Sequence, residues 1–145
     1  MGFRREGASG EQGRREEVCV TGPAITFDTS ALIALERRKE RAMKVYTHAR
    51  DRGLVVAAPN VTLAEWWRGR SDRREAVLRG VLVEPVTDDV MKLAGVALGQ
   101  VRGATTIDAI VAAFAAHRSG IVYTGDVGDF EALRGFFPAL RVFAI

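Results

Sequence analysis

The run Ala24-Ile25-Thr26-Phe27 stops on Asp28 and passes at once into Thr29-Ser30-Ala31-Leu32, a stretch of helical character. An apolar strand that ends on a carboxylate and turns directly into a helix is the opening of a βα unit, and it constrains the rest of the chain. Leu32, Leu35, Ala42, Val45, Tyr46 and Ala49 fall at helical spacing, which predicts a helix over 30–52 with Gly53 as its C-cap. A buried strand is expected at 54–58, broken by Pro59-Asn60, then short helices over 61–70 and 71–79, the second capped by Ser71 or Asp72. Val81–Glu84 reads as a short edge strand. Thr87-Asp88-Asp89 caps a helix over 90–101, Gly103-Ala104 separates it from another over 106–118, and Ile121–Thr124 is the fourth strand. A short helix over 129–135 and a strand over 140–145 complete the pattern. Strands alternating with helices predict an α/β domain with a parallel sheet of about five strands, covered on both faces.

The 145 residues suit one domain, and 48% hydrophobic with 27% charged residues is the ordinary balance of a globular chain. No apolar stretch approaches the ~20 residues of a membrane span. Residues 1–22, rich in Gly, Arg and Glu, are expected to form a disordered leader, so that the domain occupies 23–145. The leader has no apolar core for a signal peptide, and Glu6 breaks the myristoylation pattern. Cys19 is the single cysteine, which excludes an intramolecular disulfide and suits a cytoplasmic location. Residues 36–79 hold 12 Lys/Arg against 6 Asp/Glu, whereas 80–145 hold 5 against 7. That asymmetry fits a polyanion-binding face beside an acidic site, and equally a solvated helix face.

Carboxylates gather at four places, each with a structural use of its own. Asp28 is placed to cap the helix that follows it. Thr62 and Glu65 have capping-box spacing, beside Trp66 and Trp67. Asp108 opens a helix that is apolar nearly all round and complements its dipole. Asp126 and Asp129 follow the fourth strand, where one cap suffices for the next helix. Taken together they suggest one site, because parallel strands put their carboxyl ends on one edge. Several acids within a few ångströms repel unless a cation neutralises them, and an all-oxygen donor set suits Mg²⁺. There is no His/Cys cluster at zinc spacing; His48 and His117 read as helix C-terminal surface residues.

Phe27-Asp28-Thr29-Ser30-Ala31-Leu32, Thr62-Leu63-Ala64-Glu65, Thr106-Ile107-Asp108-Ala109 and Thr124-Gly125-Asp126-Val127-Gly128-Asp129-Phe130 resemble the motifs of the PIN domain, in particular the VapC-type toxins of toxin–antitoxin pairs. The resemblance spans about residues 25–145. It implies a three-layer α/β/α fold, a Mg²⁺- or Mn²⁺-dependent endoribonuclease, a homodimer, and inhibition by a cognate antitoxin. By matching position it implies Asp28, Glu65, Asp108 and Asp126 as the catalytic acids, with Asp28, Asp108, Asp126 and Asp129 toward the metal. Ser30 and Thr124 would orient a carboxylate or a water, and Gly125 stands where Ser is commoner. Arg37, Arg38, Arg41, Arg68, Arg70, Arg73 and Arg74 are candidates for the RNA backbone, Trp66 or Trp67 for an unpaired base or a buried role. The antitoxin would present an Arg or Lys to the acids. A housekeeping RNA-processing nuclease and a catalytically silent partner-binding module are the alternatives. A phosphoacceptor receiver lacks its paired acids and late Lys here, and a haloacid-type phosphatase lacks its second Asp, since Ser30 stands there.

Overall fold

The computed structural model describes residues 23–145; the leader expected over 1–22 lies outside the described residues. The order of elements is β1 (Ala24–Phe27), α1 (Thr29–Glu36), α2 (Glu40–Asp51), β2 (Val55–Pro59), α3 (Val61–Trp66), α4 (Asp72–Gly80), β3 (Leu82–Glu84), α5 (Asp88–Gln100), α6 (Thr106–Ala116), β4 (Ile121–Thr124), a 3₁₀ turn (Val127–Phe130), α7 (Glu131–Phe136) and β5 (Arg141–Ala144). The five strands form one sheet in the order β3-β2-β1-β4-β5, and every pairing is parallel. The winding reverses beside β1, so the crevice beyond the carboxyl ends of β1 and β4 is the natural place for a site.

Alternating side chains of the strands divide the core into two halves. Ala24, Ala57 and Val122 pack against α5, α6 and α7 on one face. Ile25, Phe27, Val56 and Ala58 pack against α1, α2 and the side chains of Trp66 and Val77 on the other. Phe27 and Leu32 are fully buried, and each such side chain contributes roughly 1.5–3 kcal/mol. α6 is the central helix of its layer: Ala109, Val111, Ala112, Ala113 and Ala115 are all buried, and their small side chains bring it close to the sheet. This is the three-layer α/β/α arrangement expected above. At the end of α6, Arg118 pairs with the buried Glu84 of β3 and lies over the Phe114 ring.

Three local expectations are corrected. The helix expected over 30–52 is two helices, because a continuous one would run about 34 Å while five-residue strands offer only about 17 Å to cover. The break is a Schellman turn: Arg38 takes φ 55°, its N–H donates to Leu35 O, and Lys39 N–H donates to Ala34 O, both at 3.0 Å. The helix expected over 61–70 ends at Trp66, since Trp67 is already extended at φ −72°, ψ 121°. The capping box does not form. Thr62 is buried and donates to Pro59 O at 2.8 Å, while Glu65 leaves its own helix to meet Thr29. Ser71, Thr87 and Thr105 do cap α4, α5 and α6 through their hydroxyls.

The Schellman turn carries a cost that glycine would not. An L-residue held in the left-handed region loses about 1 kcal/mol, so Arg38→Gly should stabilise the protein by about 0.5–1 kcal/mol. Denaturant unfolding would register this as a higher midpoint with an unchanged slope.

Candidate active site

Asp28 sits at the carboxyl end of β1, buried, and is also the N-cap of α1. Its Oδ1 accepts from Ala31 N at 2.9 Å and from Ser30 Oγ at 2.7 Å, and its Oδ2 accepts from Thr124 Oγ1 at 2.6 Å. Ser30 Oγ in turn accepts from Gly125 N at 2.7 Å, and Thr124 Oγ1 accepts from Asp126 N at 3.0 Å. A hydroxyl has one proton. Both hydroxyls give theirs to Asp28, so the contact of 3.3 Å between them has no proton left to share. Capping and site-building are therefore the same arrangement. Gly125 is part of it: a Cβ there would lie 3.2 Å from both Cβ and Oγ of Ser30, which gives the departure from Ser a steric reason.

The other acids arrive from separate elements. Glu65 is at the end of α3, and its Oε1 accepts from Thr29 Oγ1 at 2.5 Å. Asp108 lies in the first turn of α6, where Thr105 Oγ1 accepts from its backbone N–H at 3.1 Å. Asp126 and Asp129 belong to the 3₁₀ turn after β4, and the Asp126 side chain makes no capping bond. All five carboxylates line one cleft of about 490 Å³, together with Thr29, Ser30 and Arg68. Burial raises the pKa of Asp28, outweighing the opposite pull of its three hydrogen bonds, and the charge of Glu65 raises it further. Burial, then repulsion from Asp129, Asp28 and Glu65, lifts Asp108 to about 6 against the lowering effect of Thr105. The cleft thus holds more negative charge than its walls neutralise.

The arginine candidates divide. Arg68 is on the cleft wall, its Nη1 donating to Ala64 O and Trp67 O. Arg70 pairs with Glu75 at 2.9 Å and Arg74 with Glu36 at 3.3 Å. Arg38 and Arg41 border a different groove between α2 and the sheet, and Arg73 with Arg38 a smaller hollow by α4; Arg37 is exposed at the end of α1. Trp66 is buried and donates from Nε1 to Glu36 Oε1 at 2.7 Å, edge-on to the half-buried Trp67. His48 and His117 are exposed at helix C-termini. Thr29 was missed. Its contact joins residues 36 apart in the chain, and the sole hint was the failure of Glu65 to need a cap.

No family model matches the sequence, and none of the curated proteins compared with it does. Solved structures do match. VapBC2 from Rickettsia felis, bound to a DNA fragment from their promoter, gives a TM-score of 0.64 at 13% identity, covering 84% of this chain and 98% of that one. VapC20 from Mycobacterium tuberculosis, a Sarcin-Ricin loop cleaving toxin, gives 0.51 at 22% identity, covering 77% and 94%. Identities this low speak for architecture, and on architecture they agree with the sheet order and layers above: the chain has the PIN-like fold of VapC-type toxins.

Proposed function

We propose that this chain is a divalent-metal-dependent endoribonuclease, the toxin of a toxin–antitoxin pair, with the carboxylate cleft as its active site. The observation that carries the reading is the gathering of four further acids, from three other elements, around an Asp28 already held by three donors. The fold shared with a Sarcin-Ricin loop cleaving toxin supports RNA as the substrate, and the likeness to VapBC2 supports an antitoxin partner. Met91 and Val96, exposed on α5, suit a homodimer.

Among the described residues no three His, Cys, Asp or Glu side chains stand ready as a complete ligand set. The all-oxygen donors of the cleft suit Mg²⁺ or Mn²⁺, an ion that binds through one or two carboxylates and keeps several waters. Asp28, Asp108, Asp126 and Asp129 would hold it. When bound, such an ion polarises the phosphoryl oxygen and acidifies the attacking water. The chain's own groups do the rest. The hydroxyls of Ser30 and Thr124 keep Asp28 in a single orientation as a pure acceptor. Asp108, lifted to about 6 by burial and by its neighbours' charges while no cation is bound, is ionised at neutral pH and gains from a cation placed beside it. Glu65 stands at the cleft rim with Thr29 fixing its carboxylate, and Arg68 offers the phosphate a cation on the cleft wall. An antitoxin that presents a guanidinium to these acids would satisfy the same unbalanced charge and block the cleft.

Incubation with total RNA tests the reading. Cleavage should need Mg²⁺ or Mn²⁺, vanish in EDTA, and fall by about 10²–10⁴ in Asp28→Asn or Asp108→Asn with the fold retained. Cleavage in EDTA, or none with either metal, would refute it. A second expectation concerns stability. A carboxyl whose folded-state pKa is raised stabilises the fold fully below its unfolded value of 3.8, and that contribution is lost as pH climbs through about 6. The metal-free protein should therefore lose stability between these pH values, and Asp108→Asn should flatten that part of the melting profile; an unchanged slope counts against the buried, repelled carboxylate. Thr29 supplies the third. Thr29→Val should weaken cleavage by about tenfold, within the range for groups that orient a functional side chain, and Thr29→Ser should restore it. Equal loss in Val and Ser variants would mean that the side chain matters only for packing.

A further inference from the structure

A groove of about 1110 Å³ lies between α2 and the β1–β4–β5 part of the sheet, more than twice the volume of the carboxylate cleft. Its floor is Ile25, Ile121, Tyr123 and Phe143, with Val45 and Leu54 as walls. Phe143 is 39% exposed. Around this apolar trough stand Arg38, Arg41, Lys44 and Arg141. The acids on the same rim are Glu40, already paired with Lys44 at 3.2 Å, and Asp51 at the far end of α2. Among the described residues Arg38, Arg41 and Arg141 have no carboxylate partner. The groove also runs beside β5, the last strand of the sheet, whose outer edge pairs with no strand among the described residues.

We infer that this groove docks a partner protein through an extended segment carrying both apolar and acidic side chains. The charge layout selects the acids: three guanidinium groups without a carboxylate partner among the described residues border an apolar floor, and a carboxylate meets a guanidinium bidentately. The edge of β5, whose Ala144 carbonyl is held by Arg41 Nε, selects the conformation, since an added strand extends its ladder and presents alternate side chains to one face. Arg141 and Phe143, two apart on β5, both line the groove. A segment reading apolar–x–acidic would set its apolar residue against Phe143 and its acid against Arg141, the favourable cross-strand pairs. A nucleic acid fits less well. The Tyr123 ring is flanked by Phe27 and Phe143, at 6.0 and 5.4 Å between centroids, so Phe143 offers a single exposed ring on a floor that is otherwise mostly aliphatic, too little for the run of stacking platforms that a single strand uses. The inference needs no nuclease activity and stands whatever the carboxylate cleft does.

The test uses the full chain and three fluorescent probes: a peptide repeating Leu-Thr-Glu-Thr, its Leu-Thr-Lys-Thr counterpart, and oligouridylate. The glutamate peptide should bind about tenfold tighter than the lysine peptide, and Arg141→Glu should reverse that preference. Phe143→Asp should weaken the glutamate peptide by a similar factor, while Asp28→Asn leaves it unchanged. Both groove variants alter exposed side chains, and thermal melts establish that they fold. Equal binding of the two peptides overturns the inference. So does oligouridylate binding that Arg141→Glu abolishes, which would make the groove a nucleic-acid surface. A dimer that Phe143→Asp dissociates would assign the groove to a second copy, and a gain in peptide affinity on deleting residues 1–22 would assign it to the chain's own N-terminal segment; either result ends the partner reading.

Discussion

The carboxylate of Asp28 receives two hydroxyl protons and one amide proton, and three separate pieces of chain depend on that single buried charge. The start of α1 is capped by it, the end of β4 is tied to it through Thr124, and the loop that carries Asp126 is tied to it through Ser30 and Gly125. Hydrogen bonds to an ionised group are worth about 1.5–3 kcal/mol each, and here they offset part of what burial costs the carboxylate, whose pKa is still raised. The direction of every proton in the network is fixed, because each hydroxyl accepts from a backbone N–H and has just one proton to give. Protonating Asp28 would leave one of these donors facing a hydroxyl. The arrangement therefore holds Asp28 ready as an acceptor before anything binds.

The topology decides why so much charge collects there. With β1 between β2 and β4, the helices that follow β1 and β2 and the turn that follows β4 all begin at the same edge, and α6 starts there too. Each of these segments brings an acid, Glu65 near the end of the short α3 and the others at or beside a start. Helix N-termini favour acids by about 0.3–1 kcal/mol, and α1 and α6 both supply one. Two carboxylates about 6 Å apart in a partly buried site repel by about 3 kcal/mol. Burial first, with that repulsion added to it, outweighs the dipoles and raises the pKa of both Asp108 and Asp28. A cleft built this way asks for an external cation, whether a hard metal ion or a guanidinium from another chain.

How much of this the sequence disclosed follows from the range of each interaction. Strands that end on Asp28 and Thr124, hydroxyl caps at Ser71, Thr87 and Thr105, and the apolar girth of α6 are local patterns and could be read directly. The break at Arg37-Arg38-Lys39 could not, because nothing there lowers helix propensity; the limit is the width of the sheet the helix must cover, a tertiary constraint. Thr62 and Glu65 had the spacing of a capping box, yet the carboxylate prefers Thr29 across the cleft. Steric demand on Gly125 was likewise invisible until Ser30 was placed beside it. The carboxylates themselves were legible as a set because strand order puts their elements together, although which of Asp126 and Asp129 faces Asp108 was not. It is Asp129 whose charge bears on Asp108.

The basic half of the chain shows where composition misleads. Residues 36–79 carry the excess of Lys and Arg, and a polyanion face beside the acids and a solvated helix face were equal readings. The fold spends those charges in different ways. Arg74 closes a half-buried network with Glu36 and Trp66, Arg70 holds Glu75, Arg68 joins the carboxylate cleft, and Arg38 with Arg41 goes to the opposite side of α1. That last pair meets Arg141 from the other end of the sequence, and the three surround apolar side chains from β1, β4 and β5. Tyr123 on the groove floor is followed directly by Thr124, which binds Asp28, and Arg41 Nε holds the Ala144 carbonyl of the strand paired with Thr124. The acidic cleft and the basic groove are thus tied to consecutive residues of one strand, Tyr123 lining the groove and Thr124 holding the Asp28 of the cleft. A net charge summed over the chain conceals this, because it averages two surfaces of opposite sign.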